Sequence, residues 1–139
     1  MSVFVLDTDI LSLHQRGNAT IRSRVAAEAP QDIAITILTV EEQLSGWYTF
    51  LRNAKQIDKL ALAYQSLSEN VRSLRGFEIL NFDEMSINRY ESLRKLKLNV
   101  RKMDLRIAAV VLEKGATLVT RNARDFKQVP GLNFVDWSQ

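Results

Sequence analysis

At 139 residues and 46% hydrophobic content the chain is long enough for one domain with a sizeable core, and 25% charged residues exclude a disordered segment. It has no cysteine, which excludes disulfides, thiolate metal sites and thiol nucleophiles and suits a reducing cytoplasm. Net charge is only +3, but the cations gather between Arg94 and Arg106 (Arg94, Lys95, Lys97, Arg101, Lys102, Arg106) and again at Arg121, Arg124 and Lys127.

In chain order, Val3 to Leu6 is a short apolar run ending at Asp7, the pattern of a buried parallel strand. Asp7 and Asp9 break that run before it resembles a signal peptide or a membrane span, and charges interrupt every later apolar run before membrane length. A helix is predicted from Thr8 to about Arg16, stopped by Gly17-Asn18, and a second from Thr20 to Glu28, closed by Pro30. Ile33 to Ile37 reads as the next strand. Thr39 then opens a helix to about Asn53, with Val40, Leu44, Trp47 and Leu51 on one face. Gln56 to Arg75 is a longer helix in which Ile57, Leu60, Tyr64, Leu67, Val71 and Leu74 recur at helical spacing before Gly76. Phe77 to Phe82 reads as a third strand, and Asp83 caps a helix to about Lys97. Met103 to Lys114 is a helix apolar over most of its surface, hence buried, and Gly115 ends it. Thr117 to Thr120 and Leu132 to Val135 complete the strands. Strands separated by helices predict an α/β fold, an open parallel sheet of four to five strands with helices on both faces, in a single domain over residues 1–139. Ligands in such folds bind beyond the carboxyl ends of the strands.

Four acids sit where a predicted strand ends or a helix begins: Asp7 in V-L-D-T-D, Glu42 in T-V-E-E-Q-L-S-G, Asp104 in K-M-D-L-R-I-A-A and Asp125 in T-R-N-A-R-D-F. Each has a purely structural explanation. Asp7 can cap the first helix, Glu42 can close a capping box with Thr39, Asp104 can favour the positive end of its helix, and Asp125 can cap a turn. Together they say more, because an open sheet gathers these positions at one edge. Four carboxylates there repel one another unless divalent cations lie between them.

The order and spacing of these segments resemble the PIN-domain ribonucleases, particularly the VapC toxins of bacterial VapBC toxin–antitoxin systems, from V-F-V-L-D-T-D-I-L-S to V-P-G-L-N-F-V-D-W. The resemblance implies that Asp7, Glu42, Asp104 and Asp125 are metal ligands and catalytic residues. Glu42 matches by lying three residues after Thr39 and four before Gly46, whereas its neighbour Glu41 points elsewhere. Asn122 stands where many members carry an acid, which leaves the fourth ligand open between Asp125 and Asn122. Thr8, Asp9, Thr120 and Asn122 match positions that orient ligands or water. The implied cofactor is one or two Mg²⁺ or Mn²⁺ ions, which suit hard oxygen ligands. The implied reaction is endonucleolytic cleavage of a structured RNA, a transfer RNA or ribosomal RNA loop, by metal-activated water, leaving a 5′-phosphate and a 3′-hydroxyl.

Arg101, Lys102, Arg106, Arg121 and Arg124 are candidates for RNA backbone contacts, which position RNA without reading its sequence. Trp47, Tyr48, Phe50 and Leu51 exceed what one helix face can bury and mark a protein–protein surface; the resemblance implies a VapB-type antitoxin and a homodimer as partners. His14, the single histidine, lies away from the acids and reads as a surface or partner-facing residue rather than a general base. Two rival readings stand: a non-catalytic PIN-like module that binds RNA or protein, and a haloacid-dehalogenase-like phosphatase with Asp7 as nucleophile and Asp9 as acid/base.

Overall fold

A computed structural model describes residues 2–139. Its sheet has five parallel strands in the order β3-β2-β1-β4-β5. These are β1 (Phe4–Leu6), β2 (Ile33–Thr36), β3 (Glu78–Leu80), β4 (Thr117–Val119) and β5 (Phe134–Val135). The helices are α1 (Thr8–Gln15), α2 (Ala19–Ala26), α3 (Ile37–Asn53), α4 (Ile57–Leu74), α5 (Glu84–Arg94), α6 (Lys102–Lys114) and α7 (Ala123–Phe126). The central strands pair in register, Val5 beside Ala34 on one side and Leu118 on the other.

Alternation along the strands divides the core into two layers. Val5 and Leu118 face a cluster with Tyr90 and Leu93 of α5 and Ile107, Val110 and Val111 of α6. Leu6, Ile33, Ile35 and Val119 face the other way, onto Ile10 and Leu11 of α1, Ile21 of α2 and Trp137. The open parallel sheet with helices on both faces is therefore as the apolar runs predict. In α6 the run from Ile107 to Val111 is buried, each large side chain contributing about 1.5–3 kcal/mol. Gly115 ends α6 with φ 60°, a left-handed conformation that glycine adopts without a Cβ penalty.

Three expectations shift. The second strand stops at Thr36, and α3 begins at Ile37, two residues before the expected start. The cap is the Thr36 hydroxyl, which accepts from the Thr39 amide at 3.2 Å. Thr39 and Glu42 therefore lie inside the helix, and no capping box joins them. Thr36→Ala should lower stability by about 1 kcal/mol in urea denaturation, whereas Thr39→Ala leaves this cap intact.

The long helix α4 forms, but its apolar stripe points outward. Ile57 is 90% exposed, and Leu60, Tyr64 and Val71 are also exposed, while Ala63, Asn70 and Leu74 face inward. Periodicity establishes a helix and a stripe; it does not say which side the rest of the fold occupies. The third difference is α7, a single turn after β4 that no pattern in T-R-N-A-R-D-F announced.

Candidate active site at the carboxyl edge of the sheet

The chain connections diverge between β1 and β4, the point where open α/β sheets bind ligands. Asp7 leaves β1 at this point. Its amide donates to the Val119 carbonyl at 3.1 Å, and its carboxylate accepts from the Ile10 amide at 2.8 Å as the cap of α1. Capping does not exhaust it. Burial pushes the Asp7 carboxyl up from 3.8 to about 6; the Thr120 hydroxyl and the Ile10 amide pull it down, and Asp9 and Asp104 add repulsion. A buried carboxylate displaced this far marks a candidate functional position.

Asp104 lies in the first turn of α6, buried, with Arg101 Nε at 3.3 Å from its Oδ2. Glu42 projects from α3 and accepts from the Thr8 hydroxyl at 2.6 Å, and the Thr8 hydroxyl lies 3.0 Å from that of Thr39. Asp125 lies in α7 and accepts from the Asn122 side-chain amide at 2.9 Å. Asp104 holds the Arg101 guanidinium above its ordinary value, and Glu42 and Asp125 add to the effect. Asp104 thus acts both on Asp7 and on Arg101.

The predicted orienting residues fall beside the acids: Thr8 on Glu42, Thr120 on Asp7, Asn122 on Asp125. Asn122 donates to Asp125, so within this pair Asn122 positions the carboxylate. Asp9 is turned outward and holds Arg121, which donates from Nε and Nη2 to its two carboxylate oxygens. Glu41 is exposed and faces a separate depression with Ile37 and Val40. Among the described residues, no three histidine, cysteine, aspartate or glutamate side chains are gathered tightly enough to enclose an ion. The chemistry of the donor set nevertheless suits a hard divalent cation, since Asp7, Glu42, Asp104 and Asp125 offer carboxylate oxygens and magnesium keeps several waters.

The five basic candidates separate. Arg101, Lys102 and Arg124 are exposed beside the acids, Arg124 lying 4.0 Å from Asp125. Arg121 is engaged by Asp9. Arg106 is placed otherwise: its guanidinium lies over Phe82 at 5.6 Å and Tyr90 at 5.2 Å, with a buried Nε. That is a packing role between α5 and α6. Arg106→Ala should cost about 1 kcal/mol of stability through lost cation–π and stem packing, with RNA affinity in a filter-binding titration unchanged.

The aromatic cluster on α3 splits too. Trp47 and Phe50 meet edge to face at 5.9 Å and line a groove of about 670 Å³ that runs from Thr8 and Glu42 between α1, α3 and α4. Tyr48, 49% exposed, lines the other depression, and Leu51 is half-buried. A polar ladder on the groove floor escaped the sequence: the Gln15 and Gln43 amides pair reciprocally, and Asn70 Nδ2 donates to Gln43 Oε1. Isolated glutamines carry no pattern that could have shown it. His14 is not a surface residue but half-buried, edge-on against Phe77 at 5.6 Å, with burial lowering its affinity for a proton.

The family model described as "PIN domain" matches residues 4–132. The plasmid stability protein StbB of Pseudomonas syringae is 28% identical, covering 96% of this chain and 97% of that protein. Ribonuclease VapC1 of Haemophilus influenzae is 25% identical over 99% of both chains. A Klebsiella pneumoniae toxin–antitoxin complex superposes with a TM-score of 0.71 at 26% identity, covering 96% of each chain. VapBC2 of Rickettsia felis, bound to a promoter DNA fragment, superposes at 0.79 with 24% identity, covering 97% of this chain and 98% of that one. The chain belongs to the PIN-domain family, and along nearly all of its length it is similar to that family's VapC members.

Proposed function

We propose that this protein is a divalent-metal-dependent endoribonuclease acting as the toxin of a VapBC-type toxin–antitoxin pair. The observation that supports this most is Asp7, a buried carboxylate at the point where the chain connections diverge, with Asp104 acting on it. Asp7, Asp104, Glu42 and Asp125 would hold one or two Mg²⁺ or Mn²⁺ ions, which when bound supply an activated water and stabilise the leaving 3′-oxygen. The chain's own residues do the rest. Thr8 aims Glu42, Asn122 aims Asp125, and the α1 cap holds Asp7 in one rotamer. Arg101, Lys102 and Arg124 meet the RNA backbone on the exposed rim, so selectivity comes from the shape and unpaired bases of a structured RNA, a transfer or ribosomal RNA loop.

The relatives' names support a VapB-type antitoxin as partner. The groove with its Trp47 and Phe50 wall over a polar floor, and the exposed apolar side chains of α4, are surfaces left for it, or for a second copy of the chain. No helix among the described residues is long and apolar enough to cross a membrane, and we place the pair in the cytoplasm.

The test is cleavage of total RNA with Mg²⁺ or Mn²⁺ and mapping of 5′ ends, wild type beside Asp7→Asn, both freed of antitoxin. A discrete cut made only by wild type and only with metal is the expected result. RNA binding without metal and without cleavage would instead establish a non-catalytic binding module.

A further inference from the structure

Carboxylates crowded at one sheet edge need positive charge, and this chain carries one of its own. Arg101 is the N-cap residue of α6, and its Nε lies 3.3 Å from Asp104 Oδ2. Glu42 and Asp125 add weaker charge effects on the same guanidinium, and Asp104 is the acid it meets. The other nearby arginines are unlike it. Arg121 is tied to Asp9, Arg106 lies over two aromatic rings, and Arg124 lies farther from its acid, at 4.0 Å from Asp125.

The Arg101 side chain is 73% exposed, and its backbone at φ −58° and ψ 149° stands outside the helix. It can swing away without unwinding α6, and an ion pair this exposed is weak enough to be displaced. A divalent ion on Asp104 and the guanidinium beside it are like charges sharing one carboxylate, so each weakens the hold of Asp104 on the other.

Resting on the reading of these acids as metal ligands, we propose that Arg101 is the built-in counterion of the metal-free site and competes with the divalent cation for Asp104. The cation releases Arg101, which then becomes free for the backbone contact assigned to it above. Apparent metal affinity therefore contains the work of moving Arg101.

Mn²⁺ titration followed by electron paramagnetic resonance reads this directly, without RNA and without turnover. Wild type, Arg101→Gln and Arg101→Lys would be compared, each freed of antitoxin. Arg101→Gln should bind Mn²⁺ about three- to tenfold more tightly than wild type, and Arg101→Lys, which keeps a cation, less tightly than Arg101→Gln. In EDTA, Arg101→Gln should melt below wild type, and saturating Mn²⁺ should close that gap. Equal or weaker Mn²⁺ binding by Arg101→Gln would overturn the inference while leaving the metal site standing. Failure of all three proteins to bind Mn²⁺ would overturn the metal site and the inference with it.

Discussion

Asp7→Asn is expected to abolish RNA cleavage and, in the metal-free protein, to raise stability. The substitution keeps size and shape, and asparagine caps helices about as well as aspartate, so the bond from the Ile10 amide survives. What disappears is a negative charge held in a buried place. Loss of a central ligand should cost a factor on the order of 10³ or more in cleavage rate. The stability effect runs the opposite way. Burial raises the folded Asp7 carboxyl from 3.8 to about 6, so the folded state prefers it protonated. Below pH 3.8 both states carry the proton and Asp7 costs nothing. As pH rises through the interval up to about 6, the unfolded chain ionises first and stability is lost. Above that interval the loss is complete, about 3 kcal/mol for a displacement of this size. Urea denaturation in EDTA between pH 4 and pH 8 should show wild type losing stability relative to Asp7→Asn, with the difference levelling off near neutrality. Mn²⁺ should reverse the order, since only wild type retains the ligand to bind it. A variant that is less stable than wild type in EDTA at pH 8, or that still cuts RNA, would remove Asp7 from the metal site.

This opposition between stability and function explains which parts of the molecule could be read from the chain. Val3 to Leu6 and the run from Ile107 to Leu112 obey simple rules of burial, and both are core as their composition demands. Asp7 and Asp104 break those rules, as acids placed against buried apolar segments, and this made them visible as a site. Features that depend on distant partners were not visible. Asp9 and Arg121 are 112 residues apart and neutralise each other, and nothing in either neighbourhood predicts it. Arg106 belongs to a basic cluster in sequence, yet in space it faces Phe82 and Tyr90. The sequence puts the start of α3 two residues late, because Thr39 is as capable a cap as the Thr36 that serves. Tertiary placement chose the earlier, carrying Glu42 from a helix end into the helix body, where Thr8 orients it.

Withdrawal of divalent cations is expected to stop cleavage completely, and Mg²⁺ or Mn²⁺ to restore it, whereas replacing the 2′-hydroxyl at the cut should leave cleavage in place. The two halves test one argument. A ribonuclease that activates the 2′-hydroxyl needs an acid and a base poised near neutrality on either side of the phosphate. The single histidine of this chain is half-buried in the last turn of α1 against Phe77, with burial lowering its proton affinity, and is unsuited to that task. The groups at the sheet edge are carboxylates with hydroxyl and amide neighbours, oxygen donors that suit hard cations and a water nucleophile. Water attack uses no 2′-hydroxyl and leaves a 5′-phosphate on one product and a 3′-hydroxyl on the other. An RNA carrying one 2′-deoxynucleotide immediately 5′ of the mapped cut should therefore be cleaved by wild type with Mn²⁺, and its downstream product should be ligatable through its 5′-phosphate. Cleavage that persists in EDTA, or that ends in a 2′,3′-cyclic phosphate and fails on the deoxy substrate, would mean that the 2′-hydroxyl attacks. In that case the four acids would have to be explained by helix capping and charge balance, roles that Asp7 and Asp104 already fill in part through the Ile10 amide and Arg101.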